Sequence, residues 1–302
     1  MITVFGSINM DLIATTARLP QPSETVPGHS FSTAAGGKGA NQALAARRAG
    51  SMVRMAGAVG GDAFAAESLV FLTQSGVNLD LVKVADVPTG TAHIIVAEDG
   101  ENVIVVVAGA NGEVTPADAK AAVAQMSAGD VLALQLEVPA EAVEAALDAA
   151  KARRVTSVLN LAPFTPDARR LGAKADILVA NEIEFEQFSG KTNLSAAERE
   201  AELRSLHERT GQTIVVTLGA DGVIAIRRDK VYRAPGLKIE PVDTVGAGDS
   251  FCGYLVASLD AGLSFADCLR RAAIAGSLAC LRRGAQPSIP GATEVDAHMQ
   301  EQ

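Results

Sequence analysis

Short apolar runs recur along the chain between longer stretches whose apolar residues return at helical spacing. Residues 2–5, 131–134, 155–159, 177–179 and 214–217 are continuous and rich in β-branched side chains, the pattern of strands buried on both faces. The stretches between them carry helix-end signals. Thr115-Pro-Ala-Asp118 sets a capping threonine before a proline at the first helical position, and Ser195-Ala-Ala-Glu198 has capping-box spacing. Residues 140–153 are alanine-rich, with Glu141, Glu144 and Asp148 on a polar face. Alternating strands and helices predict an α/β fold, a three-layer α/β/α sandwich with a mostly parallel central sheet. Two segments break the rhythm. Residues 11–33 hold Pro20, Pro22 and Pro27 in short alternating pieces, and residues 88–108 read as a hairpin, 91–97 and 103–108 about a turn at 98–102. They are either a small β-layer inserted into the α/β domain or two long surface loops.

Composition narrows the function. The chain has 302 residues, 48% hydrophobic and 20% charged, which suggests one large domain or two smaller ones with mass for a full core and excludes disorder. With 26 Lys+Arg against 35 Asp+Glu the net charge is −9, so neither nucleic acid nor a membrane surface is expected as a partner. A small anion remains possible, because a local nest of backbone N–H groups holds phosphate whatever the net charge. Cys252, Cys268 and Cys280 make no even disulfide set and read as thiols of a reducing compartment. The start, Met1-Ile-Thr-Val-Phe-Gly, lacks the basic and apolar regions of a signal peptide, and no apolar run reaches membrane-spanning length, so a cytoplasmic location is expected.

Several common chemistries fail on spacing. The phosphate loop G-x-x-x-x-G-K-S/T would need Ser32 to be glycine and Gly39 to carry a hydroxyl. The dinucleotide pattern ends on Phe251, the nucleophile elbow fails at Cys252, and His29, His93, His207 and His298 lack metal-ligand spacing.

Other motifs hold. Asp243-Thr-Val-Gly246-Ala-Gly248-Asp249 precedes an apolar-faced helix over 250–261. Glycines at a helix start let N–H groups converge on an anion, and the helix dipole adds positive potential. A carboxylate inside that turn repels phosphate unless it has chemical work. Phosphoryl transfer supplies such work: the N–H groups stabilise the moving group while Asp249 takes the proton of the attacking hydroxyl. The plainer alternative is an Asp-capped helix after a glycine turn. Ala35-Gly36-Gly37-Lys38-Gly39-Ala-Asn41-Gln42 opens a second helix, where glycines admit a polyhydroxylated ligand close to backbone and Lys38 either meets phosphate or is solvated. Gly6-Ser-Ile-Asn9-Met10-Asp11 follows the first strand, at the sheet edge where ligands of open α/β folds bind. There Asp11 suits a pair of vicinal hydroxyls, with an Asx turn as the alternative. Asn181-Glu-Ile-Glu184 is either a capping-box variant or an organiser of magnesium and phosphates.

Taken in order, Gly36-Gly-Lys-Gly-Ala-Asn41, Asn181-x-x-Glu184 and Asp243-Thr-x-Gly-Ala-Gly-Asp249 resemble the two signatures and the phosphate motif of the PfkB sugar-kinase family. Gly6-Ser-Ile-Asn-x-Asp11, Gln135-Leu-Glu137 and Arg283-Gly-Ala-Gln-Pro-Ser288 extend the likeness to its ribose-phosphorylating members, from residue 2 to about 290. The resemblance implies a single α/β domain over 1–302 with a β-sheet lid, over about 11–33 and 88–108, that also makes a homodimer contact. It implies ATP-dependent phosphorylation of the 5-hydroxyl of D-ribose. The alternatives are 2-deoxyribose, a ketohexose, a sugar acid or a nucleoside, the last disfavoured by 4% aromatics and no Trp; a non-catalytic sugar sensor is the remote one. By the same resemblance Asp249 is the base, and Gly246, Ala247 and Gly248 form the anion hole. Asn9, Asp11, Gly37, Lys38, Asn41 and Glu137 contact sugar, and Thr217, Gly219 and Gly248 contact nucleotide. Asn181 and Glu184 serve phosphate and Mg²⁺, while Asp243, Val245, Ala279, Gly284 and Ser288 hold K⁺. Two departures stand out: Met10 between the sugar residues, which would favour 2-deoxyribose if it faced the pocket, and Ala272, which can only pack where some relatives place a polar side chain near adenine.

Overall fold

The computed structural model describes residues 1–300, so the last two residues of the expected domain lie outside the described residues. Its larger sheet has nine strands: β1 (Ile2–Phe5), β4 (Val53–Gly60), β5 (Asn78–Ala85), β8 (Val131–Leu134), β9 (Thr156–Asn160), β10 (Ile177–Asn181), β11 (Thr213–Thr217), β12 (Val223–Arg227) and β13 (Lys230–Ala234). The order is β13-β12-β11-β10-β9-β8-β1-β4-β5. Every neighbouring pair from β5 to β11 is parallel, and β12 and β13 close one edge as an antiparallel hairpin.

The continuous apolar runs are the central strands, and alternate side chains feed two separate cores. Ile2, Val4, Val131, Ala133, Ile177 and Val179 pack under the helices Lys38–Arg48, Ala247–Asp260 and Phe265–Ala279. Phe5, Leu132, Leu134, Leu159, Leu178 and Val216 face the other way, toward the helices Pro116–Ala124, Ala140–Arg153 and Ala196–Thr210. Burying an aliphatic side chain of this size contributes about 1.5–3 kcal/mol, so a strand with no polar face is stable only between two helical layers. The expected caps form: Thr115 Oγ1 accepts from Asp118 N at 3.2 Å and Asp118 Oδ2 from Thr115 N at 2.8 Å, with the same reciprocity at Ser195 and Glu198.

The two segments that interrupt the helical rhythm are not loops. They form a second sheet of four strands, β3-β2-β6-β7, from β2 (Asn9–Thr16), β3 (Gly28–Gly36), β6 (Gly90–Ala97) and β7 (Asn102–Val107). β2 pairs antiparallel with β3 and parallel with β6, and β7 is an edge strand exposed along its whole length. This sheet is spliced directly into the larger one: β1 runs through Gly6, Ser7 and Ile8 into β2, and β3 ends at Gly36 before Gly37 and the Lys38 helix. Among the described residues no helix is long and apolar enough to cross a membrane.

Candidate active site

The carboxyl ends of the parallel strands and the N-termini of two helices meet at one edge of the larger sheet. The chain leaving β1 brings Ser7 and Asn9, that leaving β8 brings Gln135 and Glu137, and Asn160, Asn181 and Thr217 end β9, β10 and β11. Opposite them start the Lys38 helix and the helix Ala247–Asp260.

Asp249 stands in the first turn of the latter helix, only 7% exposed. The capping alternative is removed, because the cap residue is Gly246 at φ 78°, with no side-chain cap. Instead the Asp249 carboxylate is held from the neighbouring helix: Asn41 Nδ2 donates to Oδ2 at 2.9 Å and Gln42 Nε2 to Oδ1 at 3.0 Å. The ammonium of Lys38 is raised above the usual lysine range, chiefly by Asp249 and next, in the same sense, by Glu137 against the opposing effect of burial.

Around the β1–β2 junction the polar groups are pre-set. Asn111 accepts from Ile8 N at 2.8 Å and donates to Asn9 Oδ1 at 2.7 Å, which leaves Asn9 Nδ2 as the free donor end. Glu137 Oε2 accepts from Ser7 Oγ at 2.5 Å and Lys38 N at 3.1 Å. Asp11 lies over Gly36, where a Cβ would come within 2.5 Å of its carboxylate. Its carboxyl is pushed up to about 7, by burial first and then by Glu137 and Asp249. Gly37 takes φ 90° with a would-be Cβ 2.7 Å from Asn9 N, so both conformation and space require glycine there.

For Asn181 and Glu184 the capping reading holds, and both also face a cavity. They form a reciprocal capping box, at 2.8 Å and 2.9 Å, and they line a cavity of about 220 Å³ together with Lys38, Gly248 and Asp249. Burial pushes the Glu184 carboxyl up, against the Asn181 N–H and Lys38. This cavity shares Thr217, Thr244 and Gly248 with a larger one of about 700 Å³, which also takes in Gly219 and Ala247. Beside the β1–β2 junction a third, of about 380 Å³, is lined by Asn9, Asn111 and Glu137.

Behind the glycine turn, Asp243 Oδ1 accepts from Val245 N at 3.0 Å and Oδ2 from Gly284 N at 2.8 Å. Cys280, next to Ala279, accepts the N–H groups of Val242 and Asp243 at 2.8 and 3.2 Å. Ser288 is fully buried and closes the short helix Ala285–Ser288 that Gly284 caps. The Asp243 carboxylate thus ties the 243–245 turn to Gly284 at the start of that short helix.

The two departures resolve differently. Met10 takes the core reading: it is 2% exposed, and the alternation of β2 sends it to the face opposite Asn9 and Asp11. Ala272 is not beside the large cavity; it is fully buried in the core, and the helical face one residue on, Ala273, Gly276, Ser277 and Cys280, lines the cavity instead. Sequence reasoning gave no role to Gln42, Gln135, Asn160, Asn111 or Ser7. The one signal present was position: Gln42 sits beside Asn41 in the glycine motif, and Gln135 two residues before Glu137.

A profile of the pfkB family carbohydrate kinases matches residues 1–292. The ribokinase of Bacillus subtilis (strain 168) is 38% identical over 296 residues, 98% of this chain and 98% of its own. A deoxyribokinase of Salmonella typhimurium is 33% identical over 304 residues, 99% of this chain and 98% of its own. The solved structure of Arabidopsis thaliana ribokinase complexed with ribose and ATP is similar with a TM-score of 0.89 at 29% identity, covering 100% of this chain and 99% of that one.

Proposed function

This chain belongs to the pfkB family of carbohydrate kinases, and we propose that it transfers the γ-phosphoryl group of ATP to the 5-hydroxyl of D-ribose, giving D-ribose 5-phosphate and ADP. The observation that carries the reading is Asp249: a buried carboxylate, gripped at both oxygens, in an N–H-rich helix turn lining the 220 Å³ cavity that adjoins the larger one. Asp249 takes the proton of the 5-hydroxyl as its oxygen attacks phosphorus and ADP leaves. The N–H groups of the 246–248 turn and the helix dipole stabilise the charge on the group in flight.

Asn9, Asp11, Gly37, Lys38, Asn41 and Glu137 hold the sugar. Asn9 offers Nδ2 as donor, and the Asp11 and Glu137 carboxylates accept hydroxyls. Thr217, Gly219 and Gly248 line the larger cavity, whose volume suits a nucleotide. Asn181 and Glu184 fit Mg²⁺, since their capping box leaves Glu184 Oε1 free for a hydrated hard cation. When bound, Mg²⁺ neutralises the nucleotide phosphates. Asp243, Val245, Ala279, Gly284 and Ser288 fit K⁺, which supplies fixed positive charge behind the turn. The direction of Met10 favours ribose over 2-deoxyribose, because the side chain that could have filled the place of a missing hydroxyl is off the site.

The small sheet acts as lid over the sugar and as the contact of a homodimer, for its exposed edge strand β7 presents an apolar row that a second copy covers. Use of ATP and three unpaired cysteines suit the cytoplasm.

The test is ADP release with MgATP and KCl on D-ribose, 2-deoxy-D-ribose, D-fructose and adenosine. Ribose leads in kcat/KM by roughly tenfold or more, because a site built to bond a hydroxyl rejects the analogue that lacks it. Asp249→Asn folds and loses on the order of 10³-fold in turnover, and replacing KCl by choline chloride lowers activity. Deoxyribose ahead would change the acceptor. No ADP from any sugar would remove the kinase reading.

A further inference from the structure

Behind Asp249 runs a line of amide side chains that neither sugar nor nucleotide binding accounts for. Gln42, next to Asn41 in the same helix, is 1% exposed, and Gln135, just past the end of β8, is 0% exposed. Gln135 Nε2 donates to Gln42 Oε1 at 2.7 Å. Gln42 Nε2 in turn donates to Asp249 Oδ1 at 3.0 Å and to Asn160 Oδ1 at 3.3 Å. These contacts give the Gln42 amide one orientation. Turned over, its carbonyl oxygen would face the carboxylate and Asn160 Oδ1, and its NH₂ would face the NH₂ of Gln135.

The arrangement is maintained at a cost. Gln135 Oε1 is buried without a hydrogen-bond partner, and it fits only because residue 6 is glycine, where a Cβ would stand 1.9 Å away. An apolar side chain of the same length would fill either position without burying an amide. What the amides add is the donor aimed at Asp249.

Resting on the assignment of Asp249 as base, we propose that Gln42, oriented by Gln135, is a positioning residue for phosphoryl transfer: it fixes the rotation of the Asp249 carboxylate. With Asn41 on the other oxygen, rotation is stopped from both sides. The other titratable groups that feel the Asp249 charge are Lys38 on the helix of Gln42, Asp11 on β2, Glu184 on the helix Glu182–Ser189 and Cys252 on the helix of Asp249 itself.

Gln42→Met keeps the length and removes the donor. Gln42→Glu keeps the shape and the acceptor for Gln135, but sets a carboxyl group against Asp249. In both, kcat near neutral pH falls about tenfold or more while the sugar KM stays within about threefold, because the sugar-reading groups are untouched. Gln135→Met, acting through Gln42, lowers kcat less, and the double variant Gln42→Met with Gln135→Met is no worse than Gln42→Met alone. If Gln42→Met does not fold, Gln42→Glu carries the same test. A sugar KM that rises as much as kcat falls, or fully additive losses, would overturn the proposal and make the pair packing residues. Asp249→Asn in the same assay separates the failures. Surviving turnover there removes the base itself, whereas a dead Asp249→Asn beside an unchanged kcat in Gln42→Met removes only the relay.

Discussion

Asp11 sits where burial and the carboxylates of Glu137 and Asp249 oppose its ionisation against the pull of Lys38, and its carboxyl is pushed up from 3.8 to about 7. A folded value above the unfolded one means that the stabilising contribution is complete below 3.8 and is lost as pH rises toward about 7. In sugar-free buffer at about pH 8, Asp11→Asn therefore melts higher than the parent, by ~1–3 kcal/mol for a group that keeps part of its hydration, and near pH 4 the difference closes. The same variant binds ribose more weakly. In the parent, KM for ribose rises as pH falls below about 7, since the ionised carboxylate is the better acceptor of two hydroxyls. Thermal melts at both pH values and KM against pH check this; a variant that melts lower at alkaline pH contradicts it. At this scale the charged residues stood out as carboxylates and a lysine among glycines, but each also had a plain alternative, a cap, a turn or a solvated side chain, that the sequence left open. The amides did not stand out. Nothing in the letters of Gln42, Asn160 or Asn111 marks them as buried or says what they touch. Met10 became readable only once β2 was seen to start at Asn9, which fixes the parity of its side chains.

At the level of elements, the site is a crossing of two helices. The Lys38 helix and the helix Ala247–Asp260 meet at Gly253, where a Cβ would lie 2.4 Å from Ala45 Cβ, 2.7 Å from Gln42 O and 2.8 Å from Ala46 N. Two of those neighbours are backbone, which cannot step aside as a flexible side chain can. Gly253→Ala therefore drives the helices apart and draws Asn41 and Gln42 off Asp249. The expected result is a loss of ~1–3 kcal/mol in urea unfolding with a fall in kcat larger than the change in KM; an unchanged midpoint would show that the helices are not packed this closely. The central strands and several helix starts could be read directly, since a strand buried on both faces and a capped helix each leave a local pattern. Strands β4, β5 and β13 could not. Glycines interrupt the apolar run of Val53–Gly60, and Asn78–Ala85 and Lys230–Ala234 lie at or beside sheet edges, partly exposed and mixed in polarity.

For the whole molecule the decisive question is what covers the outer edge of the small sheet. β7 has a single strand neighbour, and Val105 in its middle is 56% exposed. A long apolar edge left open is an aggregation hazard, and pairing with a second copy removes it. Sedimentation velocity is expected to give twice the chain mass for the parent at micromolar concentration and a single chain for Val105→Lys, with a raised KM for ribose if the lid depends on its partner. A parent that sediments as one chain rules the contact out. The sequence left this sheet undecided between a layer and two loops, for a physical reason. Its central pairing, β2 with β6, joins segments far apart in the chain, and half-exposed strands show only weak alternation. Non-local pairing leaves no local trace.

The gap at Gly6 also constrains how the chain can change over generations. Positions 6, 42 and 135 fit one another as a set: Gln135 occupies space that any side chain at 6 would claim, and Gln42 is oriented by Gln135. A lineage that keeps the glutamine at 135 acquires a Cβ at 6 only by swinging that amide off Gln42. One that loses it has only the Gly39 backbone, 3.1 Å from such a Cβ, to accommodate, after which the glutamine returns to its place only with a second replacement. Substitutions at these sites therefore accumulate in one order, as a ratchet, and aligned relatives should show a residue larger than glycine at 6 only where 135 has become small.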